Sequence, residues 1–191
     1  MKKTASLAKV LPRTQFGDPI LRKRAKRLML KDIQSPTIQQ LIQNMRHSLV
    51  TEELGVALAA PQVGESLALT VIAIRPSLHR PDVQEFDLVL INPDIVEYVG
   101  EKTLLWEGCI SGGSHGKADL FAKVPRYKRV RVKFYDEHGT MHEETFEGLK
   151  AQIVQHETDH LNGMLFVDRV EDTKTFMTHH EYMTRIKKIK R

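Results

Sequence analysis

Gly148-Leu149-Lys150-Ala151-Gln152-Ile153-Val154-Gln155-His156-Glu157-Thr158-Asp159-His160-Leu161 is the stretch on which the reading of this chain turns. Asn162-Gly163 follows it, a pair suited to ending a helix, so a helix is predicted from about Gly148 to Leu161. Leu149, Ile153, His156 and His160 then fall on a single stripe, and two histidines share the apolar face and point into the core. Buried imidazoles cost desolvation unless something binds them. Two of them one helical turn apart can hold one metal ion without distorting the backbone. Glu157, next to the first, is placed to serve as general base towards a water at that ion. The plainer reading of the same residues is a pair of core histidines satisfied by hydrogen bonds.

Working outward, Ser35-Pro36 is a helix start, a capping side chain followed by proline at the first helical position. Ile38, Leu41, Ile42, Met45 and Leu49 recur at helical spacing behind it, predicting an amphipathic helix over residues 36 to 50. Leu67 to Ile74 reads as a buried strand, and Leu88 to Ile91 and Val96 to Val99 as shorter strands parted by Asn92-Pro93. Val130 to Tyr135 alternates apolar and charged residues, and a turn at Asp136 to Gly139 returns the chain as a hairpin partner through Phe146. His138 and His142 are also four apart, but that turn separates them, so they form no helical pair. Strands with interspersed helices and no regular βαβ alternation argue an α+β fold.

The chain has 191 residues, 41% hydrophobic and 28% charged, the mix of a folded globular protein. No apolar run approaches the ~20 residues of a membrane span, so no membrane partner is expected. The formal net charge of +5 sits at the ends: Arg185 to Arg191 holds five positive residues and residues 1 to 13 hold four, leaving the body net negative. A basic DNA-binding core is thereby excluded, and the ends read as solvated tails or as segments that dock on a polyanion. Met1-Lys2-Lys3 is followed by no apolar stretch, so a cytoplasmic protein is expected, with a short organellar presequence as the alternative. One cysteine, Cys109, allows no internal disulfide. Alone it would read as a small buried hydrophobe. Nothing after His160 supplies a third ligand, however, and a thiolate flanked by Gly108 would complete one with the two histidines.

Three segments together, Gly55-Val56-Ala57-Leu58-Ala59-Ala60-Pro61-Gln62, Glu107-Gly108-Cys109-Ile110-Ser111 and His156 to His160, resemble in order the three motifs of the peptide deformylase family. Gly17-Asp18-Pro19-Ile20-Leu21-Arg22 and Leu90-Ile91-Asn92-Pro93 agree with its flanks. The resemblance implies a catalytic domain over residues 16–170, between a basic extension (1–15) and a basic C-terminal helix or tail (171–191). It implies antiparallel sheets surrounding a central helix that carries the H-E-x-x-H motif. The implied activity is hydrolysis of the N-formyl group from the formylmethionine of newly made polypeptides. Cys109, His156 and His160 would hold one divalent ion, iron(II) natively, with zinc, nickel or cobalt able to substitute. Glu157 would act as general base and acid, with the Gln62 amide and the Ile110 N–H donating to the oxyanion. The peptide would lie as an added strand near Val56, Ala57 and Gly108, its methionine among Val56, Leu105, Leu149 and Ile153. The basic tail would dock on ribosomal RNA. A non-formyl N-acyl hydrolase and a non-catalytic ribosome-binding relative are the alternatives.

The sequence departs from the family at three places. Ala57 replaces a glycine and is expected to crowd the substrate edge. The segment from Gly112 to Lys117 is longer than usual, and Phe121 falls where the family has a substrate-gripping arginine, with Lys117 as a candidate replacement. His115, on that loop, is a candidate to approach the open metal position, a surface histidine being the plainer reading.

Overall fold

Strand residues that are apolar without interruption need cover on both faces, and two helices supply it. The computed structural model describes residues 7–51, 55–76, 82–113 and 117–187. Its helices are α1 (Leu30–Ile33), α2 (Pro36–Val50), α3 (Gly148–Leu161) and α4 (His179–Arg185), joined by short 3-10 turns. The strands are β1 (Ala57–Ala59), β2 (Leu69–Ile74), β3 (Phe86–Gly108), β4 (Leu120–Tyr135), β5 (Met141–Glu147) and β6 (Met177–Thr178). All pair antiparallel in one six-stranded sheet, in the order β1-β2-β3-β4-β5, with β6 on β4. Leu69 and Val71 pack with Ile38, Ile42 and Met45 of α2, while Ile72 and Ile74 pack with Ala151, Ile153 and Val154 of α3. Alternation along β2 thus places α2 and α3 on opposite faces. The fold is α+β, and its described strands form one sheet where several were expected. No described helix is long and apolar enough to cross a membrane.

Both helix boundaries match the sequence. Ser35 caps α2, its side chain accepting from the Ile38 N–H, with Pro36 in the first turn. The strands around Asn92-Pro93 differ: β3 runs unbroken from Phe86 to Gly108. The ladder with β4 shifts register between Ile91 and Asp94, between Ile95 and Glu97 and between Val99 and Lys102, so the expected break is a bulge. Asn92 takes φ +54°, a conformation its short polar side chain tolerates. That buried side chain accepts from the Leu28 N–H and donates to the Leu28 carbonyl, both at 2.8 Å. Gly100, at φ +81°, allows the last of these shifts.

At the C-terminal end, α4 has only seven residues, and Phe176 precedes it and packs with Cys109, Ala122, Val124 and Phe166. At the other end, Lys9 and Leu11 donate backbone N–H bonds to Asn44 and Ser48 of α2.

α3 ends in paired backbone bonds, Gly163 N–H to the His160 carbonyl at 3.1 Å and Met164 N–H to that of Asp159 at 2.9 Å. Gly163 sits at φ +75°, and a Cβ there would lie 2.7 Å from the Arg22 carbonyl oxygen. Gly139, at φ +80°, has open space around it. Gly163→Ala is therefore expected to cost about 2–3 kcal/mol and Gly139→Ala about 1 kcal/mol in urea unfolding. Equal losses would show that the contact with Arg22 carries no weight.

Candidate metal centre

Cys109 follows the last residue of β3, and His156 and His160 project from successive turns of α3. One ligand atom from each of the three lies within 4.8 Å of the others, and Cys109 Sγ is 3.3 Å from His160 Nε2. His156 Nδ1 donates to Glu107 Oε2 at 2.9 Å, which leaves Nε2 as the nitrogen that could bind a metal. Gln62 is oriented from behind. Its Oε1 accepts from the Ala59 N–H at 2.8 Å, turning the amide nitrogen towards Ser111 Oγ (3.2 Å) and Cys109 Sγ (3.4 Å).

Charge at the site follows from burial and partners. Burial pushes the Glu157 carboxyl up to about 7, and its Oε2 is buried without a hydrogen-bond partner. Burial depresses His160 well below the usual imidazole range and keeps it neutral, the ligating form. Burial acts the same way on His156, but hydrogen bonds to Cys109 and Glu107 reverse it and raise that histidine well above its usual value. The thiol and the carboxylate thus make this point attractive to positive charge. A soft sulfur, two imidazoles and a ligand-orienting carboxylate form a donor set that suits a divalent transition metal.

A cavity of about 280 Å³ opens on the site. Of the residues expected there, Val56, Ala57, Gln62, Gly108, Cys109, Ile110, Leu149, Ile153, His156 and Glu157 line it. His160 is 1% exposed and stands behind Cys109. Leu105 does not line it, and its neighbour Trp106 does. Leu149, expected in the buried stripe, is 41% exposed because it stands at the cavity rim. Ala57 is buried in a cluster with Ile72 and Ile153 and shows no left-handed φ, so its methyl group adds to the core and strains no backbone. Phe121 lines the cavity, whereas Lys117 does not. His115 lies outside the described residues. His142 pairs with Asp136 at 2.9 Å beside the hairpin turn, away from the centre.

The polypeptide deformylase family matches residues 10–176 of the chain. The chain belongs to that family. Peptide deformylase 2 of Nostoc sp. is 37% identical over 180 residues, covering 94% of this chain and 96% of the relative. The Thermotoga maritima peptide deformylase is also 37% identical, over 92% of this chain and 96% of its own length. Among solved structures, the Met-Ala-Ser-bound class I type b peptide deformylase of Acinetobacter baumannii superposes with a TM-score of 0.78 at 37% identity, covering 86% of this chain and all of that one. Peptide deformylases are hydrolases, and their family is metal-dependent.

The sequence reading missed a set of charges inside this deformylase fold. Arg126 is 3% exposed on β4 and donates to Glu107 at 2.8 and 2.9 Å and to Asp159 at 2.6 Å. Arg169 donates to Asp159 at 2.7 Å. Burial alone would raise the Glu107 carboxyl, but bonds from His156 and Arg126 hold it down at about 2. The signal was available, since Arg126 shares its strand phase with buried Ala122 and Val124. A charge at such a position calls for a buried partner. Removing Arg126 would leave two buried carboxylates with only Arg169 and His156 as partners, so Arg126→Met is expected to lose about 3 kcal/mol in urea unfolding. Arg126→Lys should recover only part of this, because one ammonium cannot replace the forked contact. A loss below 1 kcal/mol in Arg126→Met would refute the reading.

Proposed function

We propose that this chain hydrolyses the N-terminal formyl group of formylmethionyl peptides and that Glu157 moves the proton. The observation that carries this reading is the buried, unpartnered Glu157 Oε2 facing the same cavity as Cys109, His156 and the Gln62 amide. A divalent ion held by Cys109, His156 and His160, iron(II) natively with zinc, nickel or cobalt as substitutes, would supply Lewis acidity to the formyl oxygen and acidify a water. Glu157 takes a proton from the water that adds to the formyl carbon. It then gives that proton to the methionine nitrogen as the C–N bond breaks, and formate and a free amine leave. The Gln62 amide and the Ile110 N–H donate to the oxygen that gains charge.

The peptide docks as an added strand. β1 is the edge strand of the sheet, and Val56 and Gly108 flank the cavity beside it. The methionine side chain lies against Val56, Leu149 and Ile153. The Met-Ala-Ser-bound relative supports a substrate of this length and chemistry. α3 serves as the central helix, through the two histidines and the glutamate it carries. The basic residues from Arg185 to Arg191 make a second contact with ribosomal RNA, which suits an enzyme of nascent chains in the cytoplasm.

Iron-loaded protein prepared without oxygen is expected to release formate from formyl-Met-Ala-Ser and to leave acetyl-Met-Ala-Ser intact. Glu157→Ala should lower kcat by about 10²–10⁴ while still binding one equivalent of metal. Gln62→Ala should lower it by about 10²–10³. Full activity in Glu157→Ala would remove its role, and turnover of the acetyl peptide alone would reassign the substrate.

A further inference from the structure

The cavity has two apolar walls, and the mechanism uses only one. Ile153 and Leu149 of α3 form the first, next to Glu157 and His156. The second is assembled from distant parts of the chain: Trp106 of β3, Phe121 of β4, and Tyr182 and Met183 of α4. Its construction can be traced from a missing side chain. Gly108 and Phe121 are register partners, and a Cβ on Gly108 would fall 2.6 Å from the Phe121 ring. Glycine at 108 therefore lets that ring lie down over the β3 backbone at the cavity. Tyr182 stacks on it, with ring centroids 4.1 Å apart and planes 3° apart. The Trp106 ring meets Tyr182 edge-on at 5.7 Å. β6 pairs with β4 at Leu120 and Phe121, and the His179 N–H donates to the Asp119 carbonyl at 3.0 Å, so the approach to α4 is fixed to the same strand.

We propose that this aromatic wall, centred on Tyr182, selects the residue that follows methionine in the substrate and favours a large apolar or aromatic side chain there. The inference rests on the deformylase reading above. An extended peptide turns successive side chains to opposite sides. A methionine directed at the α3 wall sends the next side chain towards the other one. That wall offers ring faces and a thioether, which reward aromatic and large aliphatic groups and give a small side chain little contact. Tyr182 acts as a specificity-determining residue; it takes no part in the proton transfers.

The test compares formyl-Met-Phe-Ser with formyl-Met-Ala-Ser on the iron-loaded full chain, together with calorimetric binding of the deformylated products Met-Phe-Ser and Met-Ala-Ser. The phenylalanine peptide should be preferred about tenfold in kcat/KM, with the difference carried in KM, and its product should bind tighter by a similar factor. Tyr182→Ala should bring both ratios to within about twofold of one, whereas Tyr182→Phe should keep them because the stack needs only the ring. Phe121→Leu, which removes the ring beneath Tyr182, should also reduce them. Absence of a preference in the unaltered chain, or a preference that survives Tyr182→Ala, would overturn the inference while formate release upholds the deformylase reading. If neither peptide releases formate, that reading falls. The product-binding ratios then decide the wall by themselves, supporting it if Tyr182→Ala abolishes the preference and overturning it otherwise.

Discussion

A single guanidinium joins the elements that make the site. Arg126 comes from β4, Glu107 from the end of β3, and Asp159 from the last turn of α3, and none of the three is more than 6% exposed. A buried charge is tolerable only when it is paired and its hydrogen-bonding capacity is met. Each member therefore constrains the other two. Glu107 then fixes the ring of His156, and Asp159 precedes His160 in the chain. The positions of both histidines depend on a cation that touches neither of them. The arrangement also separates charge from chemistry. Arg126 neutralises Glu107 and Asp159, while Glu157 Oε2 has no hydrogen-bond partner among the described residues.

This explains how neighbouring carboxylates in one protein interior behave differently. Glu107 and Glu157 are both buried, and burial raises both. Hydrogen bonds from His156 and Arg126 overcome it for Glu107 and hold it at about 2. No hydrogen bond does so for Glu157, which stays at about 7. A glutamate that orients an imidazole must remain an acceptor, and a glutamate suited to shuttle a proton must be able to carry it. Local partners set these two carboxyls apart.

Much of this was readable from residue order because it is local. The helix of His156 and His160 follows from its apolar spacing and its Asn162-Gly163 stop, and α2 from Ser35-Pro36. The candidate metal-binding set of Cys109, His156 and His160 also follows from residue types, since Cys109 is the only cysteine. What was misread depends on long-range partners. Asn92-Pro93 looks like a strand break because the dipeptide favours turns, yet Leu28, sixty-four residues away, satisfies the Asn92 side chain and turns the break into a bulge. Leu105 and Trp106 are both apolar, and only the register with β4 decides which of them faces the cavity. The Arg126 cluster is spread over fifty-two residues of sequence, from Glu107 to Asp159, and no periodicity can join them.

The two chain ends show most clearly what charge counting conceals. Both are rich in lysine and arginine, and by charge alone both read as solvated. Their apolar residues tell otherwise. Phe16 packs on Phe166, and its N–H donates to the Ser111 carbonyl at 2.8 Å, on the turn that follows Cys109. The Thr14 N–H donates to the carbonyl of Gln62 at 2.9 Å. From the other end, Phe176 packs in the cluster that holds Cys109. The cysteine and the glutamine that faces it are thus held from outside by segments that enter at opposite ends of the sequence. A sulfur and an amide donor that share one site must be placed to within a fraction of an ångström, and a 3-10 turn alone is too weak to hold them so. The segments around Thr14, Phe16 and Phe176 supply that rigidity.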